Sequence, residues 1–518
     1  MRGFESPNRC RRAVAALILA ALVAGCRDQP QGDRPHNSAI AAPDCVRERW
    51  YGIYMRGTKV GYASTRQRVV EEHGETLSET TTSMTLETPR ENAVARMKIT
   101  ATSVETPQGD LRRYSRSTDV GKELQTANCR VAGGTLTIED RVGGDRQLPW
   151  REEFLGPHAW ERILASSPPT PGETRSFRAL EESYLAIAAQ ELVGGPVEET
   201  TTPTGKKRLR RVEHRVTTPD AQTQVYQLWI DERGTCVKQR NDAADMEMHL
   251  LSREEALKPS ASPLNLVDDM MVRLATPLAN ARRTKWVRYR IAVERGEVER
   301  MVAACPSQAV RRIDAQTVEL VVRAVGPETD LAARAGDVKF ADESTPADAA
   351  YLKPNHYITA DDPRVAALAR EAAGDAKDPW ELAVALERVV ADRMEQFDYS
   401  QTFLTAAEAA VGRRGDCSEH AVLLAAVLRA RKIPSRVAIG LVYVNGAMGY
   451  HMWTEAWING RWVGLDATRG DGGIAADHIK VAATGLDGGL ADPALMTLAQ
   501  LLGARPRIEV VDFQLREP

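Results

Sequence analysis

Cys417, His451 and Asp466, all in the last third of the chain, are the side-chain types that acyl transfer requires. A thiolate attacks an acyl carbon, an imidazole carries the proton, and a carboxylate holds the imidazole in one tautomer and orientation. Cys417 follows Gly415-Asp416 and opens a mostly apolar, strongly helix-forming run over residues 418–431. A cysteine in the first turn of such a helix meets the positive end of the helix dipole. That setting brings a thiol pKa down from about 8.5 into a range of roughly 3.5 to 7.5. Backbone N–H groups at the same end are expected to stabilise an oxyanion, and Gly415 permits a close backbone approach.

The other two residues are brought together by a turn. Asn459-Gly460, between β-rich residues 450–458 and 461–468, is the strongest short hairpin signal in the chain. A two-residue primed turn sets Ile458 opposite Arg461, Trp453 opposite Asp466 and His451 opposite Thr468. His451 and Asp466 are then diagonal neighbours on one face, about 7 to 8 Å apart along the backbone and within reach of a side-chain hydrogen bond. Trp453, Trp457 and Trp462 share that face by parity and are expected to shield the pair from water and pack on the cysteine helix. Asp416 is expected to present the nucleophile loop, Tyr399 to line the cleft, and Glu419 and His420 to orient local structure. His420 lies three residues after Cys417 and invites a zinc site with His451, but a fourth ligand at metal spacing is missing.

Three stretches, Gly415-Asp416-Cys417-Ser418-Glu419-His420-Ala421, His451-Met452-Trp453-Thr454-Glu455-Ala456-Trp457 and Trp462-Val463-Gly464-Leu465-Asp466-Ala467-Thr468, occur in that order. Together they resemble the core motifs of the transglutaminase-like superfamily of papain-related cysteine enzymes, across residues 354–484. Ile433-Pro434-Ser435-Arg436 fits the same pattern, while Met452 stands where many members carry Ala. The resemblance implies a papain-like core, a Cys417-His451-Asp466 triad, a protein or peptide amide as substrate, and no metal or organic cofactor. It does not say whether water or a primary amine resolves the thioester.

Three capped helices are expected to lead to the cysteine. Asp362-Pro363 and Asp378-Pro379 each place an N-cap before proline at the first helical position, the second with Glu381 as a box-like carboxylate. Thr405-Ala406-Ala407-Glu408 forms a capping box. Pro434 ends the cysteine helix, and a β-branched run over 437–444 starts a sheet.

The rest of the chain reads as export and scaffold. Arg2, Arg9, Arg11 and Arg12 precede an apolar run over 13–24 that is too short to cross a bilayer of roughly 30 Å. Val23-Ala24-Gly25-Cys26 resembles the lipobox of bacterial lipoproteins, so residues 1–25 are expected to be a signal peptide and Cys26 the lipidated first residue. Arg27, rather than Asp, implies sorting to the outer membrane, on its periplasmic face, with residues 26–44 as a flexible tether. The fold expected beyond it is multidomain α+β: a β-rich domain over 45–260 whose layout resembles half-barrel lipid carriers, a β-rich linker domain over 261–352, the papain-like domain over 353–484, and an extension over 485–518. Helical periodicity in the first domain is confined to 157–164 and 184–192, a further helix is expected at 264–275, and 231–234 reads as a hairpin turn.

With 71 acidic against 68 basic residues, the chain has neither an acidic tail nor the charge excess of a nucleic-acid binder. In an oxidising compartment Cys45, Cys129, Cys236 and Cys305 allow three pairings or remain buried thiols, with Cys417 kept unpaired. The reading from another class is a non-catalytic envelope lipoprotein that binds lipid or a protein partner through its β-rich region.

Overall fold

The computed structural model describes residues 47–90, 93–119, 124–219, 223–260, 271–326, 340–341, 347–372, 378–394, 404–488 and 492–516. They fall into two compact units that divide at residues 264 and 265. Cys26 and Cys45 lie outside the described residues.

The amino-terminal unit is one sheet of fifteen strands, from β1 (Arg47–Met55) to β15 (Met246–Leu251). Two antiparallel meanders meet where β1 pairs β15, with Trp50 opposite Leu251; the outermost strands are β8 (Arg146–Pro149) and β9 (Phe154–Leu155), the latter added in parallel. Alternation drives the layering: Tyr51, Ile53 and Met55 on β1 are buried, as are Leu136 and Ile138 two residues apart. A helix, α1 (Ala159–Ser166), occupies the first of the two expected helical segments.

The second, 184–192, is instead a turn leading into the strand β11 (Ala186–Thr202). Ala188, Gln190 and Leu192 are buried in alternation, and partners on both sides pair with the strand. Such a short apolar run satisfies both periods, and the sheet decided between them. The 231–234 hairpin forms as expected: Asp231 N–H donates to the Thr235 carbonyl at 2.9 Å, and Gly234 takes φ +76°. A Cβ at Gly234 would stand 1.9 Å from the Leu164 carbonyl oxygen, so only glycine lets the end of α1 approach. Cys129 and Cys236 here, and Cys305 in the second unit, are buried free thiols, which removes the pairings among them. Another short helix, α2 (Arg253–Leu257), is capped by a Ser252–Glu255 box.

The carboxyl-terminal unit holds two sheets and a helical layer. One sheet joins β16 (Val272–Arg273), β20 (Ser435–Val444), β21 (Ala447–Ile458), β22 (Arg461–Leu465) and β23 (His478–Thr484). The other joins β17 (Thr284–Ala292), β18 (Gln308–Arg312), β19 (Thr317–Arg323) and β24 (Arg507–Leu515), so the end of the chain completes a sheet begun more than 200 residues earlier. The expected helix at 264–275 is not seen in its described part: Val272 and Arg273 pair in β fashion with Met448 and Ala447. Gln308 ties the sheets together, donating to the Lys480 carbonyl and accepting from the Lys480 N–H.

Helices α3 (Pro363–Glu371), α4 (Pro379–Arg393) and α5 (Ala406–Gly412) start at the expected caps. They pack with α6 (Cys417–Ala430), which is buried on every side as its all-round apolar sequence requires. Three side chains fasten α6 to its surroundings. Thr454 and Ser435 hydroxyls donate to the Ala421 and Ala425 carbonyls, and the Arg429 guanidinium caps the carbonyls of Ser435 and Lys353. Helix α7 (Pro493–Gly503) precedes β24. Among the described residues no helix is long and apolar enough to cross a membrane.

Candidate active site

Cys417 is the first residue of α6 and nearly buried. Asp416, at the N-cap, accepts from the Ser418 N–H at 2.8 Å and from the Glu419 N–H, while Glu419 accepts from Asp416 and Leu404 N–H groups. Burial and the adjacent Asp416 carboxylate push the Glu419 carboxyl well above its ordinary range. Gly415 is required by space, because a Cβ there would stand 2.5 Å from the Glu419 Cβ. The cap consumes the Ser418 and Glu419 donors, so these backbone groups do not serve an oxyanion as the sequence suggests. A different donor lies beside the sulfur. Tyr450 carries a buried hydroxyl that faces the Ser418 side chain, and its ionisation is opposed by burial first and then by the neighbouring Cys417.

The Asn459-Gly460 turn has positive φ at both positions and the expected register: Ile458 faces Arg461 and Thr454 faces Leu465. The second strand, expected to run to Thr468, ends at Leu465. Asp466 leaves the ladder because its N–H donates to Glu387 of α4 at 2.8 Å, and its carbonyl then closes a turn with Arg469 and Gly470. The carboxylate nevertheless reaches back to the hairpin, with Oδ2 3.0 Å from His451 Nε2. Its Oδ1 accepts from the Thr468 N–H and hydroxyl. Burial would raise the Asp466 carboxyl, but His451 and His478 outweigh it and hold the group well below the carboxylate range.

His451 lies in an opening of the sheet. On the edge of β21 away from β20, β16 pairs with residues 447 and 448 and β22 with residues 454 to 458, so His451 falls between the two. With Nε2 engaged by Asp466, Nδ1 is the nitrogen left to meet a thiol. Tyr450, one residue before it, borders Cys417. His420, one turn along α6 from the cysteine, interacts with both Asp466 and His451. His420 itself is pushed down to about 4 by burial, with its Nδ1 against the Asp416 carbonyl, and so is neutral near pH 7.

The tryptophans divide. Trp453 stacks beside His451 at 6.2 Å, whereas Trp457 and Trp462 meet each other edge to face, with Arg436 over Trp462. The face of β21 that meets α6 carries Tyr450 and Thr454, so the tryptophan face does not pack on the cysteine helix, and Trp453 alone of the three borders His451. Tyr399 lies outside the described residues.

Sequence reasoning missed four polar residues around Asp466. Glu387 accepts from both Asp466 and Gly472 N–H groups and is raised to about 7 by burial and by Asp466. His478, Asp477 and Arg469 extend the cluster beneath it. A signal for Glu387 was present: it occupies the buried face of α4 together with Ala383, Leu386 and Val390. Among the described residues, His451, Asp466 and His478 bring ligand atoms within 4.8 Å of one another. Arg469 Nε stands 3.5 Å from the shared carboxylate oxygen, a position that repels a cation.

Residues 366–467 match the family model of the transglutaminase-like superfamily, so the carboxyl-terminal unit carries a transglutaminase-like core. Solved structures similar to this chain include a candidate cysteine protease from Cytophaga hutchinsonii (17% identity, 38% of this chain and 78% of that one, TM-score 0.26). A β-barrel-like protein from Brucella abortus (12% identity, 39% and 95%, TM-score 0.29) and a TGase (15% identity, 40% and 58%, TM-score 0.18) are also among them. No curated protein matches the chain.

Proposed function

We propose that this protein is a cysteine acyl-transfer enzyme acting on protein or peptide amides, with Cys417 as nucleophile, His451 as proton carrier and Asp466 as orienting carboxylate. The observation that carries the reading is the His451 Nε2 bond to a buried, ionised Asp466. In the proposed cycle His451 Nδ1 accepts the Cys417 proton, and the sulfur attacks the amide carbonyl to give a tetrahedral oxyanion. The Tyr450 hydroxyl is the available donor for that oxyanion. Collapse returns the proton from His451 to the departing amine and leaves a thioester on Cys417. Water then gives hydrolysis, and a primary amine gives crosslinking.

Iodoacetamide at pH below 7 should modify Cys417 rapidly and stoichiometrically by mass spectrometry, and an inert thiol there would sink the proposal. A fluorescent primary amine offered with a glutamine-containing protein separates the two outcomes: labelling means transfer, and ammonia or peptide release without label means hydrolysis. Export as a lipoprotein anchored through Cys26 at the periplasmic face of the outer membrane is part of the proposal. It rests on the Val23-Ala24-Gly25-Cys26 sequence and is checked by the mass of the mature amino-terminal peptide.

A further inference from the structure

Asp466 Oδ2 is shared between two imidazoles, since His478 Nε2 also stands 3.3 Å from it. The surroundings of His478 consist of acceptors. Its Nδ1 faces Asp477 Oδ1 at 2.8 Å and the Ala475 carbonyl at 3.3 Å. A singly protonated ring would leave a nitrogen lone pair aimed at a carboxylate or carbonyl oxygen in a buried site, which is costly. Both nitrogens therefore carry hydrogen.

From this geometry we infer that His478 is a buried imidazolium which, acting through Asp466, sets the pH range over which His451 and Cys417 exist as an imidazolium–thiolate pair. The inference rests on the acyl-transfer reading above. His478 does not touch the reacting atoms, so it is a positioning residue.

Charge balance supports it. Asp466 and Asp477 are matched by His478 and by Arg469, which bonds Asp477 at 3.0 Å and approaches Asp466 at 3.5 Å. The direction of the His478 shift agrees: burial and the Arg469 charge would lower it, but Asp477 and Asp466 together raise it. The other groups facing this cluster are accounted for. Glu387 comes from α4, neutral His420 from α6, Tyr289 from β17 through its bond to the Ala476 carbonyl, and the Trp453 ring meets His478 edge to face with centroids 5.2 Å apart. The His451 and His478 rings are 5.6 Å apart, close enough for a charge on one to disfavour a charge on the other. His478 and Arg469 offset part of the Asp466 charge that faces His451.

The test uses the full-length protein and the rate of Cys417 carboxymethylation by iodoacetate as a function of pH. The acid limb follows thiolate formation. The alkaline limb follows loss of the imidazolium proton, because that charge assists the anionic reagent. His478→Gln keeps a hydrogen-bonding side chain without the charge and should move both limbs upward by about one pH unit, a tenfold rate change at fixed pH on either limb. Arg469→Gln, at a more superficial position, should move them the same way and serves if His478→Gln fails to fold. If His478 only braced Asp466, its removal would free the carboxylate and the alkaline limb would move downward. That result, or limbs unmoved in a folded variant, overturns the inference while leaving a reactive wild-type Cys417 and the acyl-transfer reading intact. A wild-type Cys417 that shows no limbs at all overturns both.

Discussion

Asp466 gathers its partners from four parts of the chain: His451 on β21, His478 on β23, Glu387 on α4 and its own turn through Thr468 and Arg469. Its pairing with His451 was legible in the sequence because a two-residue Asn-Gly turn fixes register, and register fixes diagonal neighbours. Its pairing with His478 was not legible, because strand order across β21, β20 and β23 decides it and local periodicity carries no trace of strand order. Asp466→Asn keeps the shape but removes the charge that two imidazole N–H groups share. Acyl transfer should fall by roughly 10²- to 10⁴-fold in kcat/KM, with circular dichroism unchanged. Tyr450→Phe removes the buried hydroxyl that faces Cys417 and Ser418. It should lower kcat by about 10²-fold with little change in KM, and an equal effect on both would assign the hydroxyl to substrate binding instead.

Helix α6 is the element on which the site is mounted, and its amino end is held by side chains more than by backbone. The reciprocal Asp416–Glu419 box closes its first turn, and Gly415 is the residue that lets the Glu419 side chain fold back over it. Asp416→Ala should cost about 1 to 2 kcal/mol in urea unfolding, and it should also slow Cys417 alkylation by loosening the turn that aims the sulfur. An element-level reading of the sequence succeeds where caps and turns carry chemical labels, as at Thr405-Glu408, Asp362-Pro363 and Asn459-Gly460. It fails where only apolar spacing is available. At 184–192 the spacing admits helix and strand alike, and pairing on both sides makes it β. At Asp466 the strand stops short because a carboxylate on α4 offers its N–H a better-placed partner than the ladder does.

The molecule as a whole places titrating groups in both units, and they predict how stability changes with pH. In the amino-terminal unit burial would lower His158, but Glu161, Glu105 and Glu182 raise it to about 9, and Glu182 is raised by burial to about 7. A folded state that keeps protons the unfolded chain has already lost becomes less stable as pH rises. The Glu182 contribution declines from its unfolded value near 4.3 up to about 7, and that of His158 from about 6.5 up to 9. Asp477 and Glu247, both lowered to about 2, act oppositely and withdraw stability below about pH 4. The melting temperature of the full chain should therefore fall between pH 6.5 and 9, and His158→Gln should flatten that fall; an equally steep fall in the variant would exclude His158 as its source. The amino-acid sequence by itself determined the helix starts, the hairpin register, the His451–Asp466 pairing and the transglutaminase-like core, because each is written in caps, turns or motifs that act over a few residues. Only the tertiary structure decided that Glu387, His478, Asp477 and Arg469 surround Asp466, that β24 closes the sheet of β17, and that the cap takes the Ser418 and Glu419 N–H groups. Those outcomes depend on which distant segments meet, and the free energy of such meetings comes from burial and charge compensation that no short stretch contains.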